Sequence, residues 1–333
     1  MLLQGISQVM IEVGNIYPWA WFYIDVLGGR LTERNDLGVY RRWRIAFSQF
    51  DVVLTQSTHA ATKKWLKTHG DSAVSYIVLV VENLTEFQNL LAKNGKSLIP
   101  PDILSVGSWW AVVTDRKRPP RENRGWLKKV DHITIPTKRP EIFEDLFCGV
   151  LQGRRTDMGD VDPESKESSM RLTTISFENC GFAFPVGIDR NSESQLSAFL
   201  RHHGEETIQH VAYDVGDLPA FCQHAEKTGI QFLDKTIFTR DEGGEVVNQI
   251  FGCGYDNELL DPAVRCFPEF LDRRAKEKTR QRRRALPMTF SRAFARDSYG
   301  YIEAARTRGE RRTIIDFSRM PRGWDPGHPA KEK

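Results

Sequence analysis

ISQVMIEVGNIYPWAWFYIDVLGGRLT, Ile6 to Thr32, recurs 124 positions further on as VDHITIPTKRPEIFEDLFCGVLQGRRT, Val130 to Thr156. Ile11 falls on Ile135, Trp19 on Phe143, Val26 on Val150, Leu27 on Leu151 and Gly29 on Gly153. Each copy begins with alternating apolar and polar residues, passes into a helical apolar period and stops at glycine, which reads as strand, amphipathic helix, turn. A second pair follows at an offset of 134: HGDSAVSYIVLVVENLTEFQNLLAKNGKSLI, His69 to Ile99, matches HGEETIQHVAYDVGDLPAFCQHAEKTGIQFL, His203 to Leu233, without a gap. Gly70 meets Gly204, Phe87 meets Phe221 and Gly95 meets Gly229. Two strand–helix units in each half make the chain an α+β duplication. The expected division is a first module at residues 1–115, a linker at 116–125, a second module at 126–275 and a C-terminal segment at 276–333.

Composition narrows the class. A chain of 333 residues exceeds what one core usually organises, which agrees with two modules. With 40% hydrophobic and 27% charged residues it is an ordinary globular protein, and a net charge of +3 gives no global reason to bind nucleic acid. The five cysteines are widely spaced with no CxxC pair, which argues against a disulfide framework and a thiolate zinc site and fits a reducing cytoplasm. No run of eighteen apolar residues occurs and the first residues lack a basic leader, so a cytoplasmic protein is expected.

The two halves differ where chemistry would sit. His132 stands opposite Gln8 in the repeat, and His210 stands opposite Tyr76. A shared framework would put similar residues at both copies, so the histidines serve something particular to the second half. A lone strand histidine is commonly a core imidazole satisfied by one hydrogen bond, but two on equivalent strands can converge on one metal ion. A non-heme iron(II) site of the two-histidine, one-carboxylate type needs an acid as well. Glu269 is the candidate, because it lies in an otherwise apolar stretch between Phe267 and Phe270, while Asp256, Glu258 and Asp261 lie in a polar turn. The competing reading pairs Glu269 with Arg273 or Arg274.

The ordered set VDHITI, HGEETIQHVAYDVGDL, NQIF and FPEFLDRR resembles the 4-hydroxyphenylpyruvate dioxygenase family, and the resemblance runs from about residue 5 to about residue 275. It implies two tandem vicinal-oxygen-chelate modules of paired βαβββ units, each an open β-barrel with flanking helices, plus a C-terminal helix. It implies Fe(II) held by His132, His210 and Glu269 in the second module. It also implies an α-keto acid that loses CO2 while O2 oxidises the remainder of the same substrate. Gln195, Gln209 and Gln249 match polar positions that the family directs at its substrate, and Phe251 and Phe267 match pocket aromatics. Possible homo-oligomers are compatible with it; a membrane partner is not expected.

Departures from the pattern bear on the substrate. Gly187 in FPVGID stands where the family carries asparagine, Leu172 or Thr173 stands where it carries serine, and the stretch between Leu233 and Gln249 is shorter. The resemblance therefore carries the iron site further than the substrate, and an aryl or alkyl pyruvate other than 4-hydroxyphenylpyruvate is open. RRAKEKTRQRRRA, Arg273 to Ala285, holds eight basic residues against one acidic, which reads as a solvated linker rather than a nucleic-acid surface. Phe290 and Phe294, in a helical stretch beyond it, are gate candidates by resemblance, with plain helix packing as the alternative. The tail SRMPRGWDPGHPAKEK is polar and proline-rich and is expected to be loosely ordered. Two other function classes stand beside the dioxygenase: an extradiol ring-cleaving enzyme, which also needs a base histidine, and a metal-free binding module of the same fold.

Overall fold

The computed structural model describes residues 3–116, 125–242, 245–255, 261, 264–275 and 291–327. The first half runs β1 (Leu3–Val13), α1 (Ile16–Trp21), β2 (Arg30–Leu37), β3 (Tyr40–Ala46), β4 (Asp51–Ser57), α2 (Ala60–His69), β5 (Ser72–Val81), α3 (Leu84–Lys93), β6 (Ile103–Val106) and β7 (Trp109–Thr114). The second runs β8 (Lys129–Thr134), α4 (Pro140–Glu144), β9 (Arg154–Asp160), β10 (Ser168–Ser176), β11 (Gly181–Asp189), α5 (Gln195–His203), β12 (His210–Asp214) and α6 (Leu218–Thr228). It continues with β13 (Phe238–Glu242), β14 (Glu245–Phe251) and β15 (Phe267–Ala275), and α7 (Arg292–Thr307) follows. Two curled sheets result, ordered β2-β3-β4-β1-β5-β7-β6 and β13-β14-β15-β12-β8-β11-β10-β9. The edge strand β13 of the second sheet has no counterpart among the described residues of the first.

The two halves correspond in backbone detail. Both α1 and α4 continue into a π-helical turn, at 22–26 and 145–150, capped by Leu27 and Leu151, and the repeat glycine follows two residues after each cap. Gly29 N donates to Tyr23 O, and Gly153 N to Phe147 O. A Cβ on Gly29 would lie 2.5 Å from Ile45 and 2.8 Å from Phe47; on Gly153 it would lie 2.6 Å from Ile175 and 2.8 Å from Phe177. Only glycine lets the turn sit that close to the sheet.

Strand alternation decides what each sheet face carries. Val9, Ile11 and Val13 of β1 join Trp19, Phe22 and Val26 in the aromatic core, which leaves Gln8, Met10 and Glu12 on the opposite, concave face. The second half repeats this with Ile133 and Ile135 against Phe143, Phe147, Phe182 and Phe184, whose rings stack within 4.4–6.3 Å. Each such fully buried ring contributes about 1.5–3 kcal/mol relative to exposure. The helical faces thus hold the framework, and the concave faces are free to differ.

Equivalent helix ends meet between the halves. His69 closes α2, His203 closes α5, and their rings lie 4.8 Å apart, with Trp65 stacked on His69 at 4.2 Å and His202 beside His203 at 4.7 Å. Burial pulls both His69 and His203 down, and neighbouring histidines add to it, so that His203 titrates at about 3 despite its hydrogen bond to Val264 O. The folded pKa lies below the unfolded value of about 6.5, so the folded chain binds fewer protons; stability is complete above that value and is lost as pH falls toward 3. The slope is about 1.4 kcal/mol per pH unit, or about 2 kcal/mol between pH 6.5 and 5. Urea midpoints at pH 7 and pH 5 should show this loss, and His203→Phe should flatten it. An unchanged slope in that variant would place the titrating group elsewhere.

One expectation changes. The tail is not loose through residue 327: Trp324 is buried against the first half with its indole Nε1 donating to Asp25, and Asp325 pairs with Arg34 at 2.9 Å. One large aromatic with a polar partner overrides the polar, proline-rich composition around it. Phe290 and the basic run beyond residue 275 lie outside the described residues. Among the described residues no helix is long and apolar enough to cross a membrane.

Candidate metal centre

Strands β15, β12 and β8 lie side by side, and the register of β12 with each neighbour builds the centre. Ala212 of β12 pairs with His132 of β8 on one side and with Glu269 of β15 on the other. His210 lies two residues before Ala212, hence on the same concave face. The three side chains therefore surround a methyl group, which leaves space between them. Their ligand atoms all lie within 4.8 Å of one another, and Glu269 Oε2 is 3.5 Å from both His132 Nε2 and His210 Nε2. Donors about 2.1 Å from a shared ion in tetrahedral or octahedral geometry are about 3.0–3.4 Å apart, close to this spacing. All three residues are buried.

Equivalent strands of the first sheet carry Gln8, Val78 and Val112 in the same three-strand register, with Tyr76 at the His210 position. The framework is shared to the level of ring stacking: Tyr76 stacks on Trp110 at 4.3 Å as His210 stacks on Phe267 at 4.9 Å. Among the described residues, only the second copy offers a set of donors that could hold a metal ion.

Outer partners orient both histidines. A β-bulge leaves Asp131 unpaired between the His132 and Val130 registers of β8, just as Ser7 is skipped in β1. Asp131 Oδ1 lies 3.0 Å from His132 Nδ1, and Arg273 holds the same carboxylate through two bonds of 2.8 and 3.1 Å. His210 Nδ1 faces the Gln209 side-chain oxygen at 3.3 Å. A proton on each Nδ1 then leaves each Nε2 lone pair directed at the centre. Arg273 is committed to Asp131, and Arg274 to Asp272 and Asp217, so Glu269 is not the arginine partner that its sequence neighbours allowed.

The electrostatics ask for a cation. Burial opposes charge on His132, but Glu269 and Asp131 outweigh it and raise His132 to about 9. Burial and the neighbouring His132 hold His210 far below its ordinary value. Arg273 and His132 outweigh burial at Asp131 and keep it ionised well below the carboxylate range. Glu269 Oε1 is buried without a hydrogen-bond partner among the described residues. An orphaned carboxylate oxygen beside two imidazoles is the donor set of a divalent transition-metal site. Asp131→Asn should weaken metal binding by roughly 10–100-fold while stoichiometry stays at one, as loss of an outer partner typically does. Competition against a chromophoric chelator measures it; unchanged affinity would remove Asp131 from the centre.

All three residues line one pocket of about 80 Å³. Gln195, Gln209, Gln249 and Phe251 line it, as does Phe294 of α7. Phe267 does not line this pocket: it stacks on His210 and lines a smaller cavity next door. Leu172, not Thr173, faces in, because Met170 and Leu172 share one side of β10. Gly187 is no pocket residue, since a Cβ there would lie 2.3 Å from Ser194 Oγ and 2.7 Å from Ser197 Oγ under the start of α5. Sequence reasoning passed over Asp131, Ala212, Ser298 and Tyr299; Asp131 beside His132 in VDHITI was a usable signal, whereas the others depend on register and helix docking.

Neither a protein-family profile nor a curated protein sequence matches the chain. Solved structures do. A triple mutant of 4-hydroxymandelate synthase from Streptomyces coelicolor superposes with a TM-score of 0.72 at 14% identity, over 91% of this chain and 99% of that one. The two-module vicinal oxygen chelate fold is thereby established. A xylose isomerase-like TIM barrel/4-hydroxyphenylpyruvate dioxygenase fusion protein matches with a TM-score of 0.56 at 12% identity, over 82% of this chain and 49% of that one. A Mn(II)-bound glyoxalase from Novosphingobium aromaticivorans matches with 0.51 at 13%, over 81% and 82%. Within this fold the His132, His210, Glu269 cluster lies on the concave face of the second sheet, and no other such cluster occurs among the described residues.

Proposed function

We propose that the chain is an iron(II)-dependent dioxygenase of the 4-hydroxyphenylpyruvate dioxygenase type, acting on an α-keto acid and O2. The convergence of two imidazole Nε2 atoms and an orphaned buried carboxylate at the floor of an apolar pocket carries the reading. Iron(II) held by His132, His210 and Glu269 would supply O2 chemistry and open positions for the carboxylate and keto oxygens of the substrate. The protein's own part is to bind, orient and exclude water. Gln195, Gln209 and Gln249 bring amides to the polar end, and the buried Gln249 Oε1 has no partner among the described residues. Met170, Leu172, Phe251 and Phe294 offer an apolar wall to the remainder of the substrate. Helix α7 closes the roof: Tyr299 OH lies 2.8 Å from Ser168 Oγ, and Glu303 accepts from Gln195 N at 3.1 Å.

An extradiol enzyme would need a further base at the metal. His202 and His203 are directed at Thr68 O and Val264 O and face the first half, so the pocket lining offers no third histidine. Iron-loaded protein given a panel of aryl and alkyl pyruvates should consume O2 and release CO2 in equal amounts. O2 consumption with a catechol and without CO2 release would move the chain to the extradiol class.

A further inference from the structure

The two halves diverge just before the strand that carries His210. In the first half β5 stays paired with β1 through Val74, Ala73 and Ser72, opposite Ile11, Glu12 and Val13. The second half keeps Thr134 with His210, the equivalent of Met10 with Tyr76, but β12 begins there and forms no ladder pair with β8 upstream of it. Glu206, which falls on Ser72 in the repeat, takes a left-handed backbone with a φ of 65°. Outside glycine that conformation is uncommon and persists where the surroundings fix it.

The surroundings come from both halves. Glu206 is buried, and its carboxylate accepts from Ser108 N and from Arg139 at 3.0 Å, with Ser108 Oγ at 2.8 Å. The neighbouring Glu205 carboxylate accepts from Lys138 N at 3.0 Å. Gly107 and Ser108 form the turn between β6 and β7 of the first half. Gly107 has a φ of 59°, and a Cβ there would lie 2.2 Å from Glu206 Oε2, so only glycine lets the carboxylate reach this turn.

We propose that Glu206 is a positioning residue for the metal centre: its clamp on the first half sets Gln209 and, through Gln209, the orientation of His210. In β5 the bulged Ser75 has paired residues on both sides, Val74 and Tyr76. Its counterpart Gln209 has a ladder pair with β8 only on the His210 side, and its own N donates to Thr134 O at 2.9 Å. Only Thr207 and Ile208 separate it from Glu206, so the clamp fixes the end that the sheet leaves free. Gln209 Oε1 faces His210 Nδ1 at 3.3 Å, beyond the usual hydrogen-bond length, and a further small backbone shift breaks that contact. A ligand keeps its direction only when the groups behind it are themselves held in place. The metal-free half thus contributes no ligand to the centre but anchors the segment that orients one.

The proposal rests on the metal centre but not on the choice of reaction, so cobalt(II) tests it in the full-length protein without turnover. The Nδ1 protons of the two ligating histidines give separate, paramagnetically shifted NMR signals, which Asp131→Asn and Gln209→Ala assign. In Glu206→Ala the His210 proton should exchange with solvent several-fold faster, while the His132 proton, held by Asp131, keeps its wild-type rate. Cobalt affinity should fall about tenfold, the lower end of what loss of an outer partner costs. Glu206→Gly keeps the left-handed backbone and removes only the clamp, so it should behave like Glu206→Ala. Ser108→Ala, at an exposed position of the first half, should shift the His210 signal in the same direction with the fold intact. Wild-type signals in Glu206→Gly, or equal acceleration at both histidines, would overturn the proposal. A wild-type protein that bound no cobalt would sink the metal centre itself, whereas cobalt bound with unchanged signals in every clamp variant would sink the clamp alone.

Discussion

Replacing His210 or Glu269 with alanine is expected to lower iron(II) affinity by well over the roughly 10–100-fold that loss of an outer partner brings, and to abolish turnover with it. Both side chains present donor atoms to a centre in which the third ligand, His132, is 3.5 Å from Glu269, and no other His, Cys, Asp or Glu joins this group among the described residues. Gln8→Ala, at the position of the first sheet that corresponds to His132, should bind one equivalent of iron normally. Glu269→Gln separates charge from shape: it keeps the volume of a buried side chain and removes the anion that offsets the metal's charge. Metal analysis after chelator competition reads all four proteins. Full occupancy in His210→Ala together with loss in Gln8→Ala would place the centre in the other half.

Phenylpyruvate or an aliphatic keto acid is expected to match or exceed 4-hydroxyphenylpyruvate in kcat/KM. Leu172, which with Thr173 was a candidate for the position where the resembling family has serine, lines the pocket, and its neighbours Met170, Ala183 and Pro185 are apolar. A phenol hydroxyl buried there without a partner costs about 1–3 kcal/mol, roughly 5- to 150-fold in kcat/KM. Leu172→Ser should shift the ratio toward the phenol. Gly187 is not the place to restore a contact, because its Cβ would collide with Ser194 and Ser197 rather than enter the pocket. Ser298 supplies the control: its hydroxyl lines the pocket and is buried with no hydrogen-bond partner among the described residues. A strong preference for 4-hydroxyphenylpyruvate that Ser298→Ala reverses would show that α7 receives the phenol, and the expectation drawn from Leu172 would be wrong.

The duplication was legible in the chain because its signals are local. Apolar period, helix stop and the required glycine are each written within a few residues, and Gly29 with Gly153 proves to be the same close approach of a turn to a sheet. The candidate ligands were legible for a related reason: a repeat supplies its own control, and His132 and His210 stand out only because Gln8 and Tyr76 occupy the same framework positions. Glu269 was legible as a charge in an apolar stretch, although its neighbours left an ion pair with Arg273 or Arg274 open.

What decided between those readings is long-range. Arg273 is taken by Asp131, 142 residues away, and that pairing exists only because a bulge in β8 and the end of β15 are brought together across the sheet. Ala212 as the vacant centre of the cluster follows from two strand registers at once, and no single segment encodes either. The place of Phe267 behind His210, the exclusion of Gly187 by α5 and the anchoring of Trp324 on the first half are of the same kind. Periodicity states which face of an element is apolar; it does not state which distant element covers that face, because that choice is made by the sum of packing, hydrogen-bond satisfaction and charge pairing over the whole fold.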